Sequence, residues 1–126
     1  MRIFITGIGG LVGSAVAETA KAKGHEVLGI DSNARGTWFG DAGSVVWRLR
    51  ELRKIGCRVI QNDFRNELPA MEGSDLIVHC AGQPSHDFSR SHPKTDSSVN
   101  YAGTMSLMEY VRKYIPKARV VFLSTN

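Results

Sequence analysis

Eight residues constrain this chain more than any others. The string "TGIGGLVG", residues 6–13, closes a short apolar run and opens a segment with helical periodicity. It sets Gly7, Gly10 and Gly13 three residues apart. A strand that turns directly into a helix needs glycine for a tight turn, for close approach of a ligand to the backbone, and for packing of the helix against the strand. The helix start then offers unpaired N–H groups and a partial positive charge, which suit a phosphate. Gly9, Leu11 and Val12 complete this loop and first turn, and are counted with the three glycines as candidate cofactor-binding residues.

The flanking segments predict an alternating α/β chain. "RIFIT" reads as a buried strand. From 10 to 23, Leu11, Val12, Ala15, Val16, Thr19 and Ala20 recur at three- and four-residue spacing, a helix face that Gly24 ends. "EVLGID" is the second strand, and "SNARGTWFGDAG" a polar, glycine-rich loop. A second helix follows with Val45, Val46, Leu49, Leu52 and Ile55 on its apolar face. "CRVIQND" and "DLIVHCAG" are strands three and four. Met105, Leu107, Met108, Val111 and Ile115 line one face of a further helix stopped by Pro116, and "ARVVFLST" is strand five. Strands apolar almost throughout are covered on both faces, which requires parallel βαβ units with right-handed crossovers. The expectation is a three-layer α/β sandwich, sheet order 3-2-1-4-5, with residues 1–126 forming one domain. That order sets Cys57 and Cys80 three strand spacings apart, about 14 Å, too far for a disulfide.

Asp31 ends strand two, 24 residues after Gly7. A carboxylate there can accept both hydroxyls of an adenosine ribose and would repel a 2′-phosphate, which favours NAD over NADP. Nearby Arg35 keeps NADP open, and a turn or capping role is the plain alternative for Asp31.

Other classes are disfavoured. With 42% hydrophobic and 22% charged residues the composition is that of a globular protein. No apolar stretch approaches the roughly 18 residues of a membrane span, and "MRIFITG" enters a strand pattern at once, so a cytoplasmic setting is expected. The net charge is +4, and four of the basic residues crowd into "RLRELRK", read as the outer face of a helix, without a groove-reading motif or aromatic platform for nucleic acid. Neither the two cysteines nor the four histidines have metal-ligand spacing.

The strings "TGIGGLVGS", "GIDSNARG", "NDFRN", "HCAGQPSHD", "VNYAGT" and "LSTN", in that order, resemble the extended short-chain dehydrogenase/reductases. Within them the chain is similar to the NAD-dependent nucleotide-sugar epimerases and dehydratases, in particular the CDP-paratose (CDP-tyvelose) 2-epimerase branch. The resemblance implies a Rossmann-type fold, NAD as cofactor and a nucleotide sugar as substrate. It places Gly7, Gly10 and Gly13 under the pyrophosphate and Asp31, with Ser32 and Asn33 beside it, at the adenosine ribose. Asp63 and Phe64 would lie beside the adenine, and Cys80, Ala81, Gly82 and Gln83 along the cofactor after strand four. Asn100 would brace that turn, Ser124 would sit beside the nicotinamide, and Thr125 would be the catalytic residue that polarises the substrate oxygen.

The chain departs from the family at several places. The family's HxAA is His79-Cys80-Ala81-Gly82, the asparagine after the ribose aspartate is Ser32, and the last asparagine of NxxGTxN is Ser106. No Tyr-x-x-x-Lys pair occurs, since in "YVRKY" Tyr110 and Lys113 are three apart. The resemblance therefore covers the N-terminal, NAD-binding part, ending after strand five, with the substrate part absent. A free-standing module that binds NAD without turnover is the alternative. Val120, Phe122 or their alternates are expected to face water on the last strand, so a homo-oligomer, or burial of that strand by a partner chain, is expected.

Overall fold

The computed structural model describes residues 1–124. Five strands, β1 (Arg2–Thr6), β2 (Glu26–Ile30), β3 (Arg58–Ile60), β4 (Leu76–His79) and β5 (Arg119–Phe122), form one parallel sheet in the order β3-β2-β1-β4-β5. The described helices are α1 (Leu11–Ala22), α2 (Ala34–Phe39), α3 (Val46–Lys54), α4 (His86–Ser91), α5 (Pro93–Asp96) and α6 (Thr104–Tyr114). No helix among the described residues is long and apolar enough to cross a membrane.

Why the strands carry so little polar alternation is visible in the core. On one face Ile3, Ile5, Val27 and Val78 pack with Ala17 and Ala20 of α1 and Leu49 and Leu52 of α3. On the other, Phe4, Leu28, Ile30 and Ile77 pack with Phe64, Met71, and Leu107 and Val111 of α6. Successive side chains of a strand point to opposite faces, so each strand supplies both layers and must be apolar at almost every position. The sheet order is the expected one. Cys57 and Cys80 are free thiols, the first just before β3 and the second just after β4, strands that are not neighbours in the sheet.

Four local expectations are corrected. On α1 the buried positions are Gly13, Ser14, Ala17 and Ala20, while Leu11 is 84% exposed and Val12, Ala15 and Thr19 also face outward. The helix approaches the sheet too closely for large side chains, so its smallest residues face inward. Val12, Ala15, Val16 and Thr19 line an open apolar groove with Met1 and Ile3. Second, the loop 32–43 is not wholly irregular: α2 and a 3-10 turn at Asp41–Gly43 lie within it. Third, only Leu107 and Val111 of the expected α6 stripe are fully buried, and Met105 and Met108 are 55% and 44% exposed. A π-helical segment at Ser97–Gly103 precedes α6. Leu107 and Val111 lie four residues apart on one stripe of α6, and at about 100° per residue Met108 is turned away from it and Met105 lies on the far side. On α3, likewise, Leu49 and Leu52 are buried but Ile55 is exposed. At the sheet edge, Val120 is partly buried while Val121, Phe122 and Leu123 are exposed.

The two α6 residues separate core from surface. Leu107→Ala is expected to lower the free energy of unfolding by about 2–5 kcal/mol, against less than about 1 kcal/mol for Met108→Ala, measured by urea unfolding. Equal losses would contradict the packing of this face.

Candidate functional site

The site is built at the C-terminal ends of the strands, where the chain leaves β1 toward one side of the sheet and β4 toward the other. Such a switch point leaves a crevice between diverging loops. Gly7 takes a left-handed conformation with φ of +66°. Its N–H donates to the Ile30 carbonyl at 2.8 Å, and a Cβ on it would lie 2.8 Å from the Ala81 backbone. A Cβ on Gly13 would lie 2.2 Å from the Gly7 carbonyl oxygen. One on Gly9 would meet Val45 and Leu49 at 2.8 Å, which holds the loop against α3. The Gly10 N–H donates back to Gly7 at 3.0 Å. Helix α1 begins at Leu11, after Gly10 as its N-cap, with no side-chain cap and no acidic residue in its first turn. The first-turn N–H groups at Leu11 and Val12 are therefore open to an anion.

Asp31 is tied into the same loop. Its carboxylate accepts the Gly9 N–H at 3.0 Å and the Asn33 N–H at 2.8 Å. Burial pushes its pKa up, and the two N–H donors and the Arg35 charge pull against that rise. A carboxylate has about four lone-pair directions, so two accepted bonds leave room for two more. Ser32 is exposed beside it. Asn33 has a left-handed backbone, φ 57°, and its side-chain oxygen accepts the Val45 N–H at 2.8 Å, which folds the loop back onto α3. Arg35 is exposed, 6.0 Å from the centre of the Phe39 ring.

The turn after β4 forms the opposite wall. Asn100, in the π-helical segment, accepts the Gln83 N–H at 2.7 Å and donates to the Gln83 carbonyl at 3.0 Å. Gln83 is buried, and its own amide donates to the Ser85 carbonyl and to Asp96, while its side-chain oxygen accepts the Ser85 N–H. Gly82 packs against Asn100, where a Cβ would stand 3.2 Å from the side-chain oxygen. Cys80 is half-buried, and burial raises its thiol to about 11, so it stays protonated.

Three residues of this wall were not among the sequence candidates. Thr6, at the end of β1, accepts the Ala81 N–H at 3.1 Å through its hydroxyl oxygen. The same hydroxyl is hydrogen-bonded to Nδ1 of His79 at 2.6 Å, and Nε2 of His79 to the Thr104 hydroxyl of α6 at 3.0 Å. The imidazole thus joins β1, β4 and α6. Burial lowers its pKa to about 4, so it is neutral near pH 7. No spacing rule points to this trio, because Thr6 and Thr104 read as a strand end and a helix start.

Asp63 and Phe64, the pair that the resemblance sets beside the adenine, lie in the turn after β3. The Asp63 carboxylate caps the turn at Phe64–Asn66 and binds the Arg65 guanidinium twice, which holds its pKa down. The Phe64 ring is buried, edge-on to His79 at 5.1 Å. Ser124 follows β5 and is exposed. Thr125 lies outside the described residues. Among the described residues no three His, Cys, Asp or Glu gather as a metal site would require.

The glycine loop with an acidic residue on its second strand is the pattern of a known group. The profile of the NAD dependent epimerase/dehydratase family matches residues 3–126. The chain belongs to this family. CDP-paratose 2-epimerase of Salmonella typhi is 30% identical over 132 residues, covering 100% of this chain and 37% of that protein. A UDP-glucose 4-epimerase of Mycolicibacterium smegmatis is 29% identical over 114 residues, covering 89% of the chain and 35% of the relative. Among solved structures, UDP-glucose 4-epimerase from Thermus thermophilus in complex with NAD superposes with a TM-score of 0.77 at 29% identity, over 99% of this chain and 38% of the other. The chain therefore spans little more than a third of the length of these relatives.

The neutral histidine gives this family member a pH signature. An unfolded His79 takes up a proton near pH 6.5, whereas the folded one resists until about pH 4. Its contribution to stability is complete above pH 6.5 and falls away toward pH 4, by on the order of 3 kcal/mol. In His79→Gln the urea midpoint is expected to be flatter with pH across that window. An unchanged slope would show that the ring is not buried neutral.

Proposed function

We propose that this chain is the NAD-binding portion of a nucleotide-sugar epimerase or dehydratase. The observation that carries the reading is the Gly9 N–H bond to the Asp31 carboxylate. It ties the Asp31 carboxylate to the glycine loop that precedes α1, so the groups that would hold a ribose and a pyrophosphate share one loop. Fit is tested by the cradle itself: a side chain at Gly7, Gly10 or Gly13 would fall within 3.2 Å of backbone that lines the crevice.

Each residue would act through its own chemistry. The open N–H groups of α1 would hold the pyrophosphate, and Asp31 would accept the adenosine ribose hydroxyls. The turn 80–83, held by Thr6, His79 and Asn100, would form the wall along the rest of the cofactor. Asp63, paired with Arg65, and the neighbouring Phe64 would lie beside the adenine. NAD, when bound, would accept and return a hydride at a sugar carbon. Ser124 and Thr125 would stand at the reacting end, with Thr125 polarising the substrate oxygen.

The general base is not supplied by Tyr110. Its hydroxyl is hydrogen-bonded to Glu72, and that acceptor raises its pKa to about 12, the wrong direction for a base working near neutrality. We propose that residues 1–126 by themselves bind the dinucleotide without turning over a nucleotide sugar. A homo-oligomer that covers Val121, Phe122 and Leu123 belongs to the same reading.

Fluorescence titration tests it. The wild type is expected to bind NADH about tenfold or more tighter than NADPH, since the 2′-phosphate would be set against a carboxylate. Asp31→Ala should bring the two affinities close together. Equal wild-type affinities, or a preference that survives the substitution, would remove Asp31 from this role.

A further inference from the structure

The loop helices α2 and α4 belong to different crossovers, yet their aromatic rings meet. The Trp38 and Phe88 ring centres are 5.2 Å apart at an interplanar angle of 34°. Phe39 approaches Phe88 edge-on at 5.9 Å, and Trp38 likewise at 6.2 Å. Phe88 is also stacked on His92, 4.3 Å away and inclined by 10°. α2 leaves the end of β2 and α4 follows the turn after β4, and in the sheet these strands flank β1. Two strand spacings, about 10 Å, separate their ends. The aromatic contact therefore bridges the strand from which the glycine loop emerges.

We propose that Trp38 and Phe88 form a strap across the mouth of the dinucleotide crevice, which opens to admit the dinucleotide and closes to retain it. The inference rests on the dinucleotide-binding reading above. The two ends of the strap are hydrogen-bonded to the crevice walls. The Asn33 N–H donates to Asp31, and the Asn33 side chain ties the start of α2 to Val45. At the other end, the Ser85 N–H donates to the Gln83 side chain, and Ser85 caps α4 through the Phe88 N–H. The junction itself is made of ring faces and edges. Rings can part and meet again without breaking a hydrogen bond, so opening at this seam leaves both anchors intact. A strap fixed to Asp31 on one side and Gln83 on the other would shut over a ligand that touches both. Trp38 also packs against the apolar layer beneath α6 and so returns to a defined place when the seam closes.

Stopped-flow measurement of NADH exchange tests the strap in the full chain. A Trp47→Phe background leaves Trp38 as the single indole, and Trp47 is an exposed residue of α3 outside the crevice. In Phe88→Ala, both association and release of NADH are expected to quicken, release by about tenfold, the scale of one aromatic pair. Trp38→Ala, followed by NADH fluorescence, should match it, and the double variant should add little to either. Phe88→Leu, which keeps apolar bulk, guards against loss of the fold and should fall between. Release unchanged within about twofold in folded variants would overturn the strap, because a ring contact that merely packs α4 does not gate exit. Faster association with unchanged release would also overturn it, since the rings would then be a plug that the dinucleotide displaces. A wild type that binds no NADH at equilibrium would instead sink the dinucleotide reading, and the strap with it.

Discussion

The distance between the first turn of α1 and the end of β1 governs the rest of this molecule. Gly13 sits so close to the Gly7 carbonyl that even a methyl group would overlap it. That approach seats α1 on the sheet through Gly13, Ser14, Ala17 and Ala20, and it aims the first-turn N–H groups into the crevice. It also lets Gly7 reach both the Ile30 carbonyl and the Ala81 backbone, so loops from three strands converge on one residue. Move the helix outward by the width of a methyl, and the start of α1 and the Asp31 carboxylate lose their common edge.

The opposite wall depends on pairing buried polar groups. Thr6, His79 and Thr104 connect two strands and a helix through side chains alone, and Gln83, Asp96 and Asn100 do the same for the turn that follows. Buried polar groups without partners are costly, so a fully paired network admits few alternative geometries. The histidine serves this network as a neutral ring, with one nitrogen donating and the other accepting. Its lowered pKa is a consequence of burial among apolar neighbours such as Phe64. The wall is rigid for the same reason that it is pH-sensitive.

Much of this was legible before the fold was known. The strands, their parallel order, the glycine loop and Asp31 follow from local pattern, because both-face burial and phosphate-loop geometry impose residue types at fixed spacing. The inward face of α1 was not legible in that way. A hydrophobicity count selects Leu11, Val12 and Ala15, whereas close packing selects the smallest side chains. Met105 and Met108 were placed on the α6 stripe by their apolar character, but the stripe that packs on the sheet is only as wide as Leu107 and Val111. The Asp63 carboxylate was read as lying beside the adenine, and its pairing with Arg65, two residues on, is a contact that spacing does not predict.

What the sequence by itself determined is the class of fold and the position of the crevice within it. Periodicity, glycine spacing and strand composition are local quantities, and they suffice to order a five-stranded parallel sheet around a switch point. Which polar side chains form the walls was decided only in three dimensions. Thr6 and His79 are 73 residues apart in the chain, and Gln83 and Asn100 are 17 apart. Trp38 and Phe88, from separate crossovers, meet only because β2 and β4 both lie beside β1. Hydrogen bonds and ring contacts act over a few ångströms of space, and only the folded sheet brings those residues within that range.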